Sequence, residues 1–221
     1  MQRKIDRDTR RLTLLAMLAA LAYVLMAVGR IPIVLFLKYD PKDVVITFAG
    51  LLFGPASALA VSVVVSFVEM LTLSDTGLLG LVMNVLSSAS FACTAAWLYR
   101  RRRTLGGAVL GLAAGTLLMS AVMLLWNYLL TPLYLHQPRE AVAPLLLPAF
   151  LPFNLFKGGL NAVLTLLLYK PASRALRRAR LLPESPQPSP ARRGSLALML
   201  AAVAGFAAVC VALLLFMQRV G

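Results

Sequence analysis

Residues 145–169, LLLPAFLPFNLFKGGLNAVLTLLLY, read as a membrane-crossing helix with a polar seam inside it. At 1.5 Å per residue the run exceeds the roughly 30 Å of a bilayer's hydrocarbon core. Lys157 follows Asn154 by three positions and precedes Asn161 by four, so the three side chains share one helical face. A lysine at that depth costs about 3 kcal/mol or more unless it reaches the interface, a partner or a wet cavity. Its presence is therefore a sign of function.

The rest of the chain supports a membrane setting. Of 221 residues 60% are hydrophobic and 14% charged, with mean hydropathy +0.83, which does not describe a soluble surface. Apolar runs fall at 12–29, 44–53, 56–73, 78–99, 105–130, 147–169 and 196–217. None alternates with the period of two that an outer-membrane barrel needs. The expected fold class is an all-α integral membrane protein, with a six-helix bundle over 1–170, a basic Pro/Ser-rich linker over 171–195 and a seventh transmembrane helix within 196–221. Gly54-Pro55 separates the short second run from the third, and PESPQPSP at 183–190 reads as extended linker. The first run contains Ala20-Leu21-Ala22, which has the look of a signal-peptidase site. Cleavage there would cut inside the run, so it is read as a retained helix.

The net charge of +14 would suggest nucleic acid in a soluble protein, but its placement gives a different account. Of 22 Lys and Arg, 16 lie in three clusters: before Leu12, at 100–103 and at 170–193. With the N-terminus cytoplasmic, the helix alternation puts all three clusters inside, as the positive-inside rule asks. Their partner is then the anionic lipid bilayer of the cell membrane. No aromatic residues interleave with the arginines as a base-stacking surface requires, so no nucleic acid is expected. No GxxxxGK[ST] loop occurs, so any drive from ATP must come from other chains. Hydrolase motifs of the GxSxG and HExxH kinds are absent. His136 stands alone and is read as a solvated loop residue. Cys93 and Cys210 sit in different apolar runs without CxxC spacing, so neither a metal nor a disulfide is predicted.

Polar residues elsewhere on the helices are few. Asn84 precedes Ser87, Ser88 and Ser90 in the fourth run; Asn127 and Tyr128 lie near the outer end of the fifth; Glu69 lies near the outer end of the third. The serines are read as bonds between helices. Asn127, Asn154 and Lys157 are read as a site, converging under the outer loops. The outer segment 31–43, IPIVLFLKYDPKD, reads partly as an interfacial belt. Its two aspartates suit better a lid that dips over an outward-facing pocket.

Five pieces carry a family resemblance: FLKYDPKD at 36–43, LLFGP at 51–55, LVMNVLSSASF at 81–91, NYLLTPLY at 127–134 and PFNLFKGGLN at 152–161. In order and spacing the chain resembles the substrate-binding S component of the energy-coupling factor vitamin transporters, of the riboflavin type. The resemblance implies a non-enzymatic subunit that captures riboflavin outside as its transported ligand, without a cofactor. It implies partnership with a transmembrane T component and two ATPases. It also implies a docking surface at Ala16 and Ala20, and a ligand site drawn from Leu37, Lys38, Tyr39, Asp40, Asn84, Asn127, Tyr128, Asn154 and Lys157. Phe36, Tyr128 and Phe153 are candidate ring contacts. The chain departs from the pattern at Pro41-Lys42 and in its added seventh helix, where Ala201, Gly205 and Val209 form a small-residue stripe suited to packing. Three other readings stay open: a membrane enzyme acting on a lipid or isoprenoid through Lys157, Asp40 and His136, a membrane scaffold, and an S component for another vitamin. The enzyme would need clustered acids or histidines, whereas the 8 acidic residues are scattered.

Overall fold

A chain inside hydrocarbon must satisfy its backbone groups within itself, and each apolar run accordingly folds as a helix. The structure, a computed structural model, describes residues 2–34, 37–74, 76–179 and 193–220. Phe36 and the 183–190 linker lie outside the described residues. The long helices are α1 (Gln2–Gly29), α3 (Pro55–Thr72), α4 (Gly77–Arg101), α5 (Leu105–Leu135), α7 (Leu151–Arg178) and α8 (Arg193–Val220), with α2 (Lys42–Phe53) and a one-turn α6 (Arg139–Val142) between them. Six of the described helices, α1, α3, α4, α5, α7 and α8, are long and apolar enough to cross a membrane. The 12-residue α2 is about 18 Å long, short of a full crossing. It is enclosed by its neighbours instead, and residues 42–51 are all buried.

Within the segment expected as a lid, two short strands pair with each other. β1 (Ile31–Val34) runs antiparallel to β2 (Leu37–Tyr39), with Ile31 opposite Tyr39. β-branched and aromatic side chains favour this extended ribbon, and Pro32 is tolerated because both strands are edges.

Glycines set how closely the helices approach. Gly111 and Gly115 on α5 form a GxxxG pair against α4. A Cβ on Gly111 would lie 2.7 Å from the Ala95 carbonyl oxygen, and one on Gly115 2.6 Å from that of Phe91. With no hydrophobic drive between helices in lipid, such contact is a main source of association.

Before α7 the chain passes through a 3-10 turn (Ala143–Leu145) and a π turn (Leu146–Phe150). The helix then runs past the expected boundary at 170 and through Pro171 to Arg178. A proline inside a helix costs about 3 kcal/mol. On either side of it, Tyr169, Ala172 and Leu176 pack on the apolar cluster of α1, α2 and α3 and offset that cost.

The added helix α8 lies against α7 and α5. Its packing face is Ala202, Phe206 and Cys210, one position on from the expected stripe. Ala201, Gly205 and Val209 turn outward, and a Cβ on Gly205 would meet nothing within 4 Å. The pocket for Cys210 comes from the other helix, since a Cβ on Gly159 would come within 2.9 Å of the Cys210 sulfur.

Candidate ligand-binding site

At the end of the bundle opposite Arg100–Arg103 lies a cavity of about 220 Å³, with walls from the hairpin, α3, α4, α5 and α7. Of the residues read as ligand contacts, Leu37, Lys38, Asp40, Asn84, Asn127, Asn154 and Lys157 line it. Tyr39 and Tyr128 do not. Tyr39 is buried, donates its hydroxyl to Asn161 Oδ1 at 3.0 Å and packs edge-on against Phe156. Tyr128 is 42% exposed on the outside of α5. Phe153 is in the wall, with Met83, Met123 and Trp126 adding apolar surface.

The partner of Lys157 is Asp43. Its ammonium stands 3.2 Å from Asp43 Oδ2, and both groups are buried. Asp43 lies at the start of α2, where an acidic side chain suits the helix dipole. Its second oxygen accepts the Ser88 hydroxyl of α4, and Asn161 donates to Oδ2 at 3.4 Å. The carboxylate thus ties α2, α4 and α7 together directly beneath the cavity.

A second buried group sits beside the first. Glu69 accepts from Arg30, from Lys42 at 2.5 Å and from Asn84 at 3.0 Å. Lys42, the departure noted after the hairpin, has no exposed surface. It also lies 3.9 Å from Asp40. Burial alone would raise the Asp40 carboxyl, but Lys42, then Lys157 and Arg30, outweigh it and hold the group below the ordinary carboxylate range. Asp40 Oδ1 is buried and has no hydrogen-bond partner. Burial, then the Asp43 and Asp40 carboxylates, push the Tyr39 phenol well above its usual range, so it stays a hydroxyl donor.

The two asparagines present opposite ends of their amides. Asn127 Oδ1 accepts the Thr131 hydroxyl at 2.9 Å, which leaves its N–H groups for a ligand. Asn154 donates Nδ2–H to the Phe150 carbonyl at 2.7 Å, which leaves its oxygen. Phe150 is the last residue of the π turn, which the Leu151 N–H closes on the Leu146 carbonyl, so the end of that irregularity is what Asn154 bonds. One donor and one acceptor thus sit beside a lysine in an apolar wall.

Read from sequence, Asp43 falls in a loop and Glu69 has no assigned role, so the ion pairs at the cavity are missed. A usable signal existed: Lys42 and Asp43 immediately precede the apolar run at 44–53, and charges entering hydrocarbon need partners.

A helical membrane bundle with a lidded cavity near one face, mostly apolar with a few fixed polar groups, has the construction of a subunit that holds a ligand. The chain belongs to the family described as ECF transporter, substrate-specific component, whose profile matches residues 10–169. Among its relatives is the riboflavin transporter RibU of Staphylococcus aureus (strain TCH60), 30% identical over 80% of this chain and 98% of that one. Another is the riboflavin transporter FmnP of Bacillus subtilis (strain 168), 29% identical over 72% of this chain and 90% of its own length. A solved S component of a bacterial ECF transporter superposes with a TM-score of 0.65 at 31% identity, over 77% of this chain and 99% of that one.

Proposed function

We propose that the chain captures riboflavin in this cavity from outside the cell and releases it inward, powered by a T component and two ATPase subunits. The observation that carries the reading is the pair of amides, Asn127 offering N–H and Asn154 offering C=O, against an apolar wall. Riboflavin has a broad flat ring whose uracil-like edge carries both carbonyl oxygens and an N–H, so the pair is complementary to it. The unpartnered Asp40 oxygen suits a ribityl hydroxyl, and Asn84 and Lys38 lie where they can meet the same chain. Leu37 lies over the cavity with the hairpin. Tyr39 and Tyr128 act from outside the wall, Tyr39 by holding the hairpin to α7.

The charges around the cavity favour a neutral ligand. Arg30, Lys42 and Lys157 are matched by Asp40, Asp43 and Glu69, and among the described residues of the wall Lys38 at the rim is the remaining cation. A phosphorylated flavin would bring its charge to a site already balanced.

In this reading the N-terminus is cytoplasmic and the arginine-rich ends lie inside. Ala16 and Ala20 are both exposed on α1 and leave a small-residue surface for the T component. The six-helix body binds, and α8 is an addition to it.

The test is spectroscopic. Chain purified in detergent from a riboflavin-containing host should carry the flavin absorbance, and added riboflavin should lose fluorescence on binding. Asn127→Ala and Asn154→Ala should each weaken binding by about 1–3 kcal/mol. Wild-type affinity in both variants would place the ligand elsewhere, and tight binding of another vitamin in place of riboflavin would overturn the ligand assignment.

A further inference from the structure

A second cavity, also of about 220 Å³, opens at the arginine-rich end of the bundle. Its walls are Leu51 of α2, Tyr99 of α4, Leu112 of α5, Thr165 and Tyr169 of α7, and Met199 of α8. Arg103 and Thr104 stand at its mouth, where α5 begins. α8 supplies one wall, so this cavity depends on the part of the chain that lies beyond the family match.

Three features of this cavity call for an amphipathic occupant with a negative head. The mouth holds the Arg103 guanidinium beside a helix N-terminus, where backbone N–H groups and the helix dipole favour an anion. Thr104 satisfies one of those N–H groups, that of Gly107, and the others of a helix's first turn have no partner within the helix itself. Deeper in, the Thr165 side chain is 2% exposed and its hydroxyl has no hydrogen-bond partner. On the neighbouring α5, Thr116 and Ser120 bond the carbonyl four residues back. Between head and depth, Tyr99 and Tyr169 place their hydroxyls 3.2 Å apart, at the level where tyrosines line a membrane interface.

We infer that the inner cavity is a site for an anionic phospholipid of the adjacent leaflet, phosphate at Arg103 and the first turn of α5, ester oxygen at the Thr165 hydroxyl. The spacing suits a glycerophospholipid, because Thr165 lies one helical turn, about 6 Å, below Tyr169. Leu112, Leu166 and Met199 then enclose the first methylenes of an acyl chain. A free phosphate would satisfy Arg103 but leave Thr165 and the apolar walls unfilled.

The full chain, purified in detergent and titrated with single lipids under native mass spectrometry, tests this. One phosphatidylglycerol per chain should be retained at concentrations where phosphatidylcholine and inorganic phosphate are not. Arg103→Gln and Thr165→Val should each lower that retention about fivefold. Thr165→Ser should restore it, and Arg101→Gln, whose guanidinium stacks 4.2 Å from the Trp97 ring outside the cavity, should leave it unchanged. Equal retention of phosphatidylcholine, displacement by inorganic phosphate, or undiminished retention in both variants would overturn the inference. Riboflavin binding followed in the same samples reports on the outer cavity and on folding, so the two readings fail separately.

Discussion

Lys157 is tolerated in hydrocarbon because Asp43 lies 3.2 Å away and Ser88 and Asn161 complete the carboxylate's bonds. The pair spans more than a hundred residues of chain, and no local pattern joins its ends. What is local is the need for a partner, which follows from the charge alone. Removing one member should cost far more than the pair contributes, since it leaves the other charged and buried. Lys157→Met is expected to cost about 3–5 kcal/mol of stability, whereas Asp43→Asn combined with Lys157→Met should cost clearly less than the two single changes summed. Thermal unfolding in detergent across the four proteins measures the coupling, and simple additivity would show that the two groups do not depend on each other. Asn127 and Asn154 were recognisable from sequence as polar groups on apolar helices. Which end of each amide faces a ligand was not, because it depends on Thr131 and on the carbonyl of a π turn.

At the scale of elements, periodicity located the helices well and their faces less well. The GxxxG pair at Gly111 and Gly115 is a close-approach signal that the structure places against Phe91 and Ala95. Gly115→Ala adds a methyl where the nearest carbonyl oxygen is 2.6 Å away. The expected outcome is a loss of about 1–3 kcal/mol, seen as a lower melting temperature, with Gly205→Ala as the neutral comparison because that position faces open space. Equal melting of the two variants would remove the close-packing account of α4 and α5. On α8 the stripe at 201, 205 and 209 and the packing face at 202, 206 and 210 differ by one residue, a rotation of about 100°. Both faces are made of small and apolar residues. The fit of Cys210 against Gly159 on α7, with Ala202 and Phe206 packed on α5 and α7, selects between them.

The whole molecule divides its surfaces by task. The cavity proposed for the ligand sits at one end, the arginines at the other, α8 covers α7 and α5, and α1 keeps Ala16 and Ala20 exposed. Ala16→Leu with Ala20→Leu adds bulk to an exposed face of α1. Riboflavin binding should persist, while uptake by cells or vesicles that also carry the energy-coupling subunits should fall sharply. Unimpaired uptake would move the docking surface off this face. Composition, hydropathy and the three basic clusters by themselves determined that this is a helical membrane protein, how many apolar runs it has and which ends carry the positive charge. These are properties of short windows, governed by the cost of exposing backbone and charge to hydrocarbon. The tertiary structure alone decided that residues 31–34 and 37–39 pair as a ribbon, that α2 is enclosed, that Asp43 meets Lys157, and that a second cavity forms against α8. Each of these is set by contacts between distant segments, where the energy of burying a charge or a side chain depends on what the rest of the chain brings beside it.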